Sequence, residues 1–238
     1  MSKQNELAQF ADVVTVNSGK VGIGTSSPTV LLDLESASPI IRLTDSDASG
    51  TPECQVSGAG GDLIFDADRD NEKASSLMAF KVDGSERMRI DATGAVTMPH
   101  QPAFLVKPNT EQSNIALASN VTVLFQTEIF DQNADFANNT FTAPVAGKYQ
   151  LNFSLYLKTI NDAYQYIYAR IQTSNRNYEV EIYPSTIFNS DGRITVGAGF
   201  LADMDASDTA FVTVQVPNTG SAQMDIVVYS SFSGYLVA

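Results

Sequence analysis

FQTEIFDQNADFANNTFTAPVAGKYQLNF, residues 125–153, leads through a single glycine, Gly147, into a run whose alternation decides the fold class. Tyr149, Leu151, Phe153, Leu155 and Leu157 fall on one face of an extended chain, and Gln150, Asn152, Ser154 and Tyr156 on the other. That period of two predicts a strand with one buried side. Val212, Val214 and Val216 repeat the pattern, as do Tyr178, Val180 and Ile182 set against Glu179 and Glu181. No long stretch reads as an amphipathic helix, so the class is all-β. Residues 103–238 are numerous enough to enclose a core of their own.

Upstream the texture differs. Glycine-centred turns punctuate residues 18–100, at Gly19, Gly22 to Gly24, Gly50, Gly58 to Gly61, Gly84 and Gly94. Between them lie short alternating runs such as Leu63 to Phe65, Phe80 to Val82 and Met88 to Ile90, which predict short strands. Few of these runs carry enough apolar residues on one face to form a core within one chain, and an isolated hairpin is marginal in water. Association of three copies about a common axis would cover the thin apolar stripes. Pro99 and Pro102 interrupt strand hydrogen bonding and mark a junction. The expected organisation is an attachment segment at 1–16, an intertwined β shaft at 17–102 and a sandwich at 103–238.

Charge and composition narrow the function. The chain of 238 residues has 27 acidic and 14 basic side chains, a formal charge of −13, spread over both parts. A phosphate backbone is a poor partner for it, because nucleic-acid affinity comes largely from Lys and Arg clusters. No run approaches the roughly 18 apolar residues of a membrane helix, and Met1 to Ala11 lacks the pattern of a secretory leader. The expectation is a protein made in a cytoplasm, with no membrane insertion. Cys54 is the one cysteine, which leaves no intrachain disulfide.

Two resemblances sharpen the reading. Phe125, Asp131, Phe136, Phe141, Gly147, Tyr149 and Phe153, with the closing Ser231-Phe232-Ser233-Gly234-Tyr235-Leu236, stand in the order of residue types that marks the globular head of complement C1q. The chain resembles that family, with a shorter gap between Phe136 and Phe141 and with Leu151 where an aromatic is usual. The first departure reads as a trimmed surface loop, the second as an apolar residue kept in a core strand. Gly19-Lys20-Val21-Gly22-Ile23-Gly24-Thr25-Ser26-Ser27-Pro28, followed by Leu32-Asp33-Leu34, is similar to a unit recurrent in bacteriophage tail fibres, and Phe80 to Asp91 is similar to the segment that precedes a further copy of it. Together they imply a homotrimer with a slender β-rich shaft and a C-terminal C1q/TNF-like jelly-roll head. They also imply attachment to a phage tail or baseplate protein through the N-terminus, and a virion location.

In such a jelly roll both termini lie at one end. Four segments then share the far end: Lys107 to Asn120, Lys158 to Ala163, Pro184 to Gly192 and Pro217 to Met224. Loops on a rigid scaffold are where binding residues concentrate, and Asn161, Asp162, Asn189, Asp191 and Asn218 offer amides and carboxylates suited to sugar hydroxyls. Turn formation alone also favours these residue types. A second candidate is the run Tyr164 to Ile171, in which Ile167, Ala169 and Ile171 face inward and Tyr164, Tyr166, Tyr168 and Arg170 outward. Exposed tyrosines need cover, from a neighbouring protomer by preference or from a ligand. Tyr164 accordingly joins the receptor-binding set.

The resemblance leaves calcium as the one cofactor to consider, with Asp162 and Asp191 as the apical oxygen donors; otherwise none is expected. His100, the lone histidine, reads as a solvated junction residue. With one cysteine and one histidine there is no nucleophile and base pair, so no enzymatic activity is expected. The function implied is a trimeric adhesin that recognises a host-surface glycan or protein. The alternatives are a bacterial surface filament with a trimerising display head and a polysaccharide depolymerase, which would need two carboxylates across a cleft.

Overall fold

A computed structural model describes residues 13–116, 118–160, 164–184, 192–216 and 224–238. The described residues build twenty-two strands, divided between two compact units at Thr97 and Met98.

The first unit holds three separate three-stranded sheets. β1 (Val14–Asn17) and β2 (Lys20–Ile23) pair antiparallel around the Ser18-Gly19 turn, and β3 (Leu32–Leu34) joins β2 in parallel. β4 (Ile40–Thr44), β5 (Glu53–Ala59) and β6 (Asp62–Ala67) form an antiparallel meander, as do β7 (Leu77–Val82), β8 (Ser85–Asp91) and β9 (Val96–Thr97). The predicted short strands at 63–65, 80–82 and 88–90 lie inside β6, β7 and β8. Asp91 closes the last turn by accepting hydrogen bonds from the Thr93 amide (2.8 Å), the Thr93 hydroxyl (2.6 Å) and the Ala95 amide (3.0 Å), which hold its carboxyl below the usual carboxylate range. Among the described residues 13–97, no Val, Leu, Ile, Met or Phe side chain is buried.

The second unit is an all-β jelly roll of two sheets. Its strands are β10 (Ala103–Lys107), β11 (Gln112–Ile115), β12 (Asn120–Thr122), β13 (Thr127–Asp131), β14 (Phe136–Ala137), β15 (Thr140–Thr142), β16 (Gly147–Lys158), β17 (Ile167–Thr173), β18 (Asn177–Ile182), β19 (Ile194–Met204), β20 (Thr209–Gln215), β21 (Met224–Ile226) and β22 (Ser231–Leu236). The seven-stranded sheet runs β11-β21-β16-β22-β10-β13, with β19 along the other edge of β16. The six-stranded sheet runs β14-β15-β20-β17-β18, with β12 also on β20.

The core lies between the sheets. Tyr149, Leu151, Phe153, Leu155 and Leu157 of β16, Val212 and Val214 of β20, and Val216 just after β20 are all buried, as their spacing requires. Phe104, Phe136, Phe141 and Phe232 pack ring to ring, with centroids 4.7 to 6.2 Å apart. Gly234 is glycine by necessity: a Cβ there would sit 2.6 Å from Leu151 Cδ2 and 2.8 Å from Phe104 Cε1. Both departures noted in the sequence have a structural counterpart. Phe136 pairs directly with Phe141 across a two-residue turn at Asn138 and Asn139, both with positive φ, so the short gap is a tight hairpin. Leu151 is fully buried in β16.

Candidate functional site

The twelve residues of β16 give the jelly roll two ends about 36 Å apart, at roughly 3.3 Å per residue. One end is a base. There the Leu236 amide donates to Pro102 O (3.0 Å), Gln101 Nε2 to Leu236 O (2.8 Å), Val237 N to Lys148 O (2.8 Å) and Lys148 N to Ala238 O (2.7 Å). The start of the unit and its last residues therefore share the Gly147 end of β16.

At the Lys158 end, the described parts of the four expected segments meet. Lys158 Nζ pairs with Glu111 at 2.7 Å. Asp225, next to the Pro217 to Met224 segment, accepts from the Asn114 amide at 2.8 Å and from the Thr159 hydroxyl at 2.7 Å. The Ile160 amide donates to Gly192 O (3.0 Å) and the Ala118 amide to Val216 O (2.8 Å). Each segment is thus tied to a neighbour by a bond made outside its own turn, which gives the apex a fixed footing. Both oxygens of Asp225 are spent on that footing. Nothing in the sequence singled out Asp225; its role depends on β11 and β21 pairing across 110 residues of chain, which no local pattern encodes.

Asn161, Asp162, Asn189, Asp191 and Asn218 lie outside the described residues. Tyr164 corrects an expectation: its side chain is 3% exposed and belongs to the core. The outward alternation holds only within β17, and Tyr164 precedes the first strand residue, Ile167. Burial, aided by the nearby Asp225 charge, raises its phenol pKa, and its hydroxyl is buried without a hydrogen-bond partner. Ile167, Ala169 and Ile171 face inward as expected, and Tyr166, Tyr168 and Arg170 stand half-buried on the outer face of the six-stranded sheet.

Asp162 and Asp191, the oxygen donors expected for calcium, lie outside the described residues; among the described residues no group of three or more His, Cys, Asp or Glu has metal-binding geometry. The His100 side chain is exposed, while its backbone carbonyl accepts from Asn133 Nδ2 at 3.0 Å. Cys54 is exposed on β5, in the other unit.

The family model of the C1q domain matches residues 103–237. Among solved structures, the globular domain of zebrafish complement 1qA aligns at 23% identity with a TM-score of 0.44, covering 58% of this chain and 98% of its own. Murine APRIL aligns at 8% identity with a TM-score of 0.43, covering 58% and 99%. No curated protein matches the chain.

Proposed function

This chain belongs to the C1q domain family through residues 103–237, and from that premise we propose that it is the receptor-binding protein of a bacteriophage tail fibre. Three copies associate, residues 1–16 attach to a tail or baseplate protein, residues 17–102 form the shaft, and the apex of the head binds a host-surface glycan or protein. The protein is made in the host cytoplasm and resides in the virion. It acts by binding, with no catalytic step and no cofactor.

One observation carries the reading: the first unit has nine strands and no buried Val, Leu, Ile, Met or Phe among its described residues. Val16, Leu31, Leu43, Leu63, Phe65, Phe80 and Val82 are all exposed in a single chain. Apolar side chains left in water on this scale favour association, at about 25 cal/mol per Å² covered. C1q-like domains commonly form trimers, and the seven-stranded sheet has a matching outer face. Phe130 of β13 stands opposite Leu105 of β10 there, and Tyr235 of β22 and Leu201 of β19 flank Gln150 of β16. Three-fold display then converts weak contacts into avidity through effective concentration.

The test is sedimentation of the full chain at micromolar concentration, followed by incubation with host cells and with their purified capsule and lipopolysaccharide. A trimer that is retained without shortening the polysaccharide is the expected result, and exchange of Asn161 and Asp191 for alanine weakens retention while the trimer persists. A stable folded monomer overturns the reading. Cleavage would assign a depolymerase, and a trimer with no retention a display filament.

A further inference from the structure

Rows of side chains on the outer face of β17 and β18 combine aromatic surface with fixed polar groups. Register places Tyr168 beside Glu181 on one flank and Gln215 on the other, and Arg170 beside Glu179. Tyr183 follows directly after β18, is 48% exposed, and donates its hydroxyl to Glu181 Oε1 at 2.9 Å. The Tyr166 and Tyr168 rings lie 4.9 Å apart, centroid to centroid, at 59°.

Arg170 locks the patch. Its guanidinium carbon lies 4.3 Å from the centre of the Tyr168 ring, its Nη1 donates to Asn120 Oδ1 and Gln215 Oε1 at 2.7 Å each, and its Nε pairs with Glu179. A side chain held by four partners has already lost its rotamer freedom, so a ligand meeting it does not have to order it. The patch also abuts the apex, because β17 begins just after the Lys158 to Ala163 segment and β18 ends at the Pro184 to Gly192 segment.

We infer that this face is a binding subsite for a neutral hexose glycan, an inference that rests on the adhesin reading above. A hexose ring has a flat C–H face and a rim of hydroxyls. Tyrosine rings meet the first with apolar, electron-rich surface and carry a polar edge. Glu181 and Glu179 each keep a second carboxylate oxygen to accept from the second, and Arg170 Nη2, which makes none of the bonds above, donates. Charge sets the class of sugar: Glu179 is neutralised by Arg170, which leaves the Glu181 carboxylate beside the rings, and on a chain of formal charge −13 it repels uronic or sialic acid residues. A second copy of the chain is the competing occupant, and the distribution of apolar surface assigns it elsewhere. Leu201, Tyr235 and Phe130, each at least half exposed, lie on strands of the seven-stranded sheet, the opposite side of the jelly roll.

The experiment presents immobilised glucose, galactose and mannose oligomers, with a uronic-acid oligomer of equal length, to the full-length trimer. Interferometry reads binding and sedimentation reads assembly. Binding to at least one neutral oligomer and none to the acidic one is expected. Tyr166→Ala lowers affinity by about tenfold, Glu181→Gln by a smaller factor, and both variants sediment as the parent does. Absence of any neutral binding, preference for the acidic oligomer, or unchanged affinity in both variants overturns the inference. Dissociation of the Tyr166→Ala trimer does so too, by making the patch a contact between copies. Host cells added in parallel separate the two readings: cells bound equally by parent and variants remove the subsite alone, whereas cells left unbound by the parent remove the adhesin.

Discussion

Asp135 lies between β13 and β14 with Oδ2 buried and unpaired, while its own amide donates to Asp131 Oδ1 at 3.1 Å. Burial pushes its pKa above the ordinary 3.8, a hydrogen bond from Asn133 opposes this, and the Asp131 charge adds to the rise. A carboxyl whose folded pKa is raised binds protons more readily folded than unfolded, so it costs stability above the folded pKa and nothing below the unfolded value. Asp135→Asn should therefore raise the melting temperature at pH 7, by up to about 1 kcal/mol of stability. The difference from the parent should shrink as the pH falls toward 3.8. Thermal scans at pH 7 and pH 3.5 check this, and an equal gain at both pH values would assign the effect to packing instead. Tyr164 teaches the complementary lesson about single residues. Its neighbours' alternation pointed it outward, but alternation is a property of strands, and this residue stands three positions before one.

The β14–β15 hairpin shows what an element can reveal before its structure is known. Asn138 and Asn139 both hold positive φ, and Asn139 Oδ1 also accepts the Phe125 amide at 2.7 Å, fastening the turn to the chain that precedes β13. Asn139→Ala loses that bond and places a poorly suited residue in the left-handed region. The expected loss is about 1–3 kcal/mol, read as a lower denaturant midpoint with unchanged slope. Asn139→Gly restores the backbone freedom but not the bond, and should recover part of it. The short gap between two phenylalanines was legible as a trimmed loop, though not as a hairpin, and β16 and β20 as period-two runs, because each of these depends on local spacing. The Arg170 network was not legible. It draws on Asn120, Glu179 and Gln215 from three other strands, and only sheet order brings them to one guanidinium. The same holds for Asp225, whose two partners come from distant segments.

At the scale of the whole molecule, every buried Val, Leu, Ile, Met, Phe, Tyr and Ala among the described residues lies between Phe104 and Phe232, so the second unit carries a core of its own. If three heads meet through the seven-stranded sheet, Tyr235→Glu places an uncompensated carboxylate in that contact, which costs several kcal/mol. Sedimentation at micromolar concentration should then shift toward the monomer, while the head keeps its own β-rich circular dichroism. A trimer unaffected by Tyr235→Glu and by Leu201→Glu would move the contact off this sheet.

The nine strands of residues 13–97 form three sheets, none sharing a strand with another, and each is closed by loops of its own. An in-frame deletion or duplication of the meander from Ile40 to Ala67 therefore severs no ladder in its neighbours. Recombination between related genes can add or remove such a sheet whole and leave every strand pairing of residues 103–238 as it was.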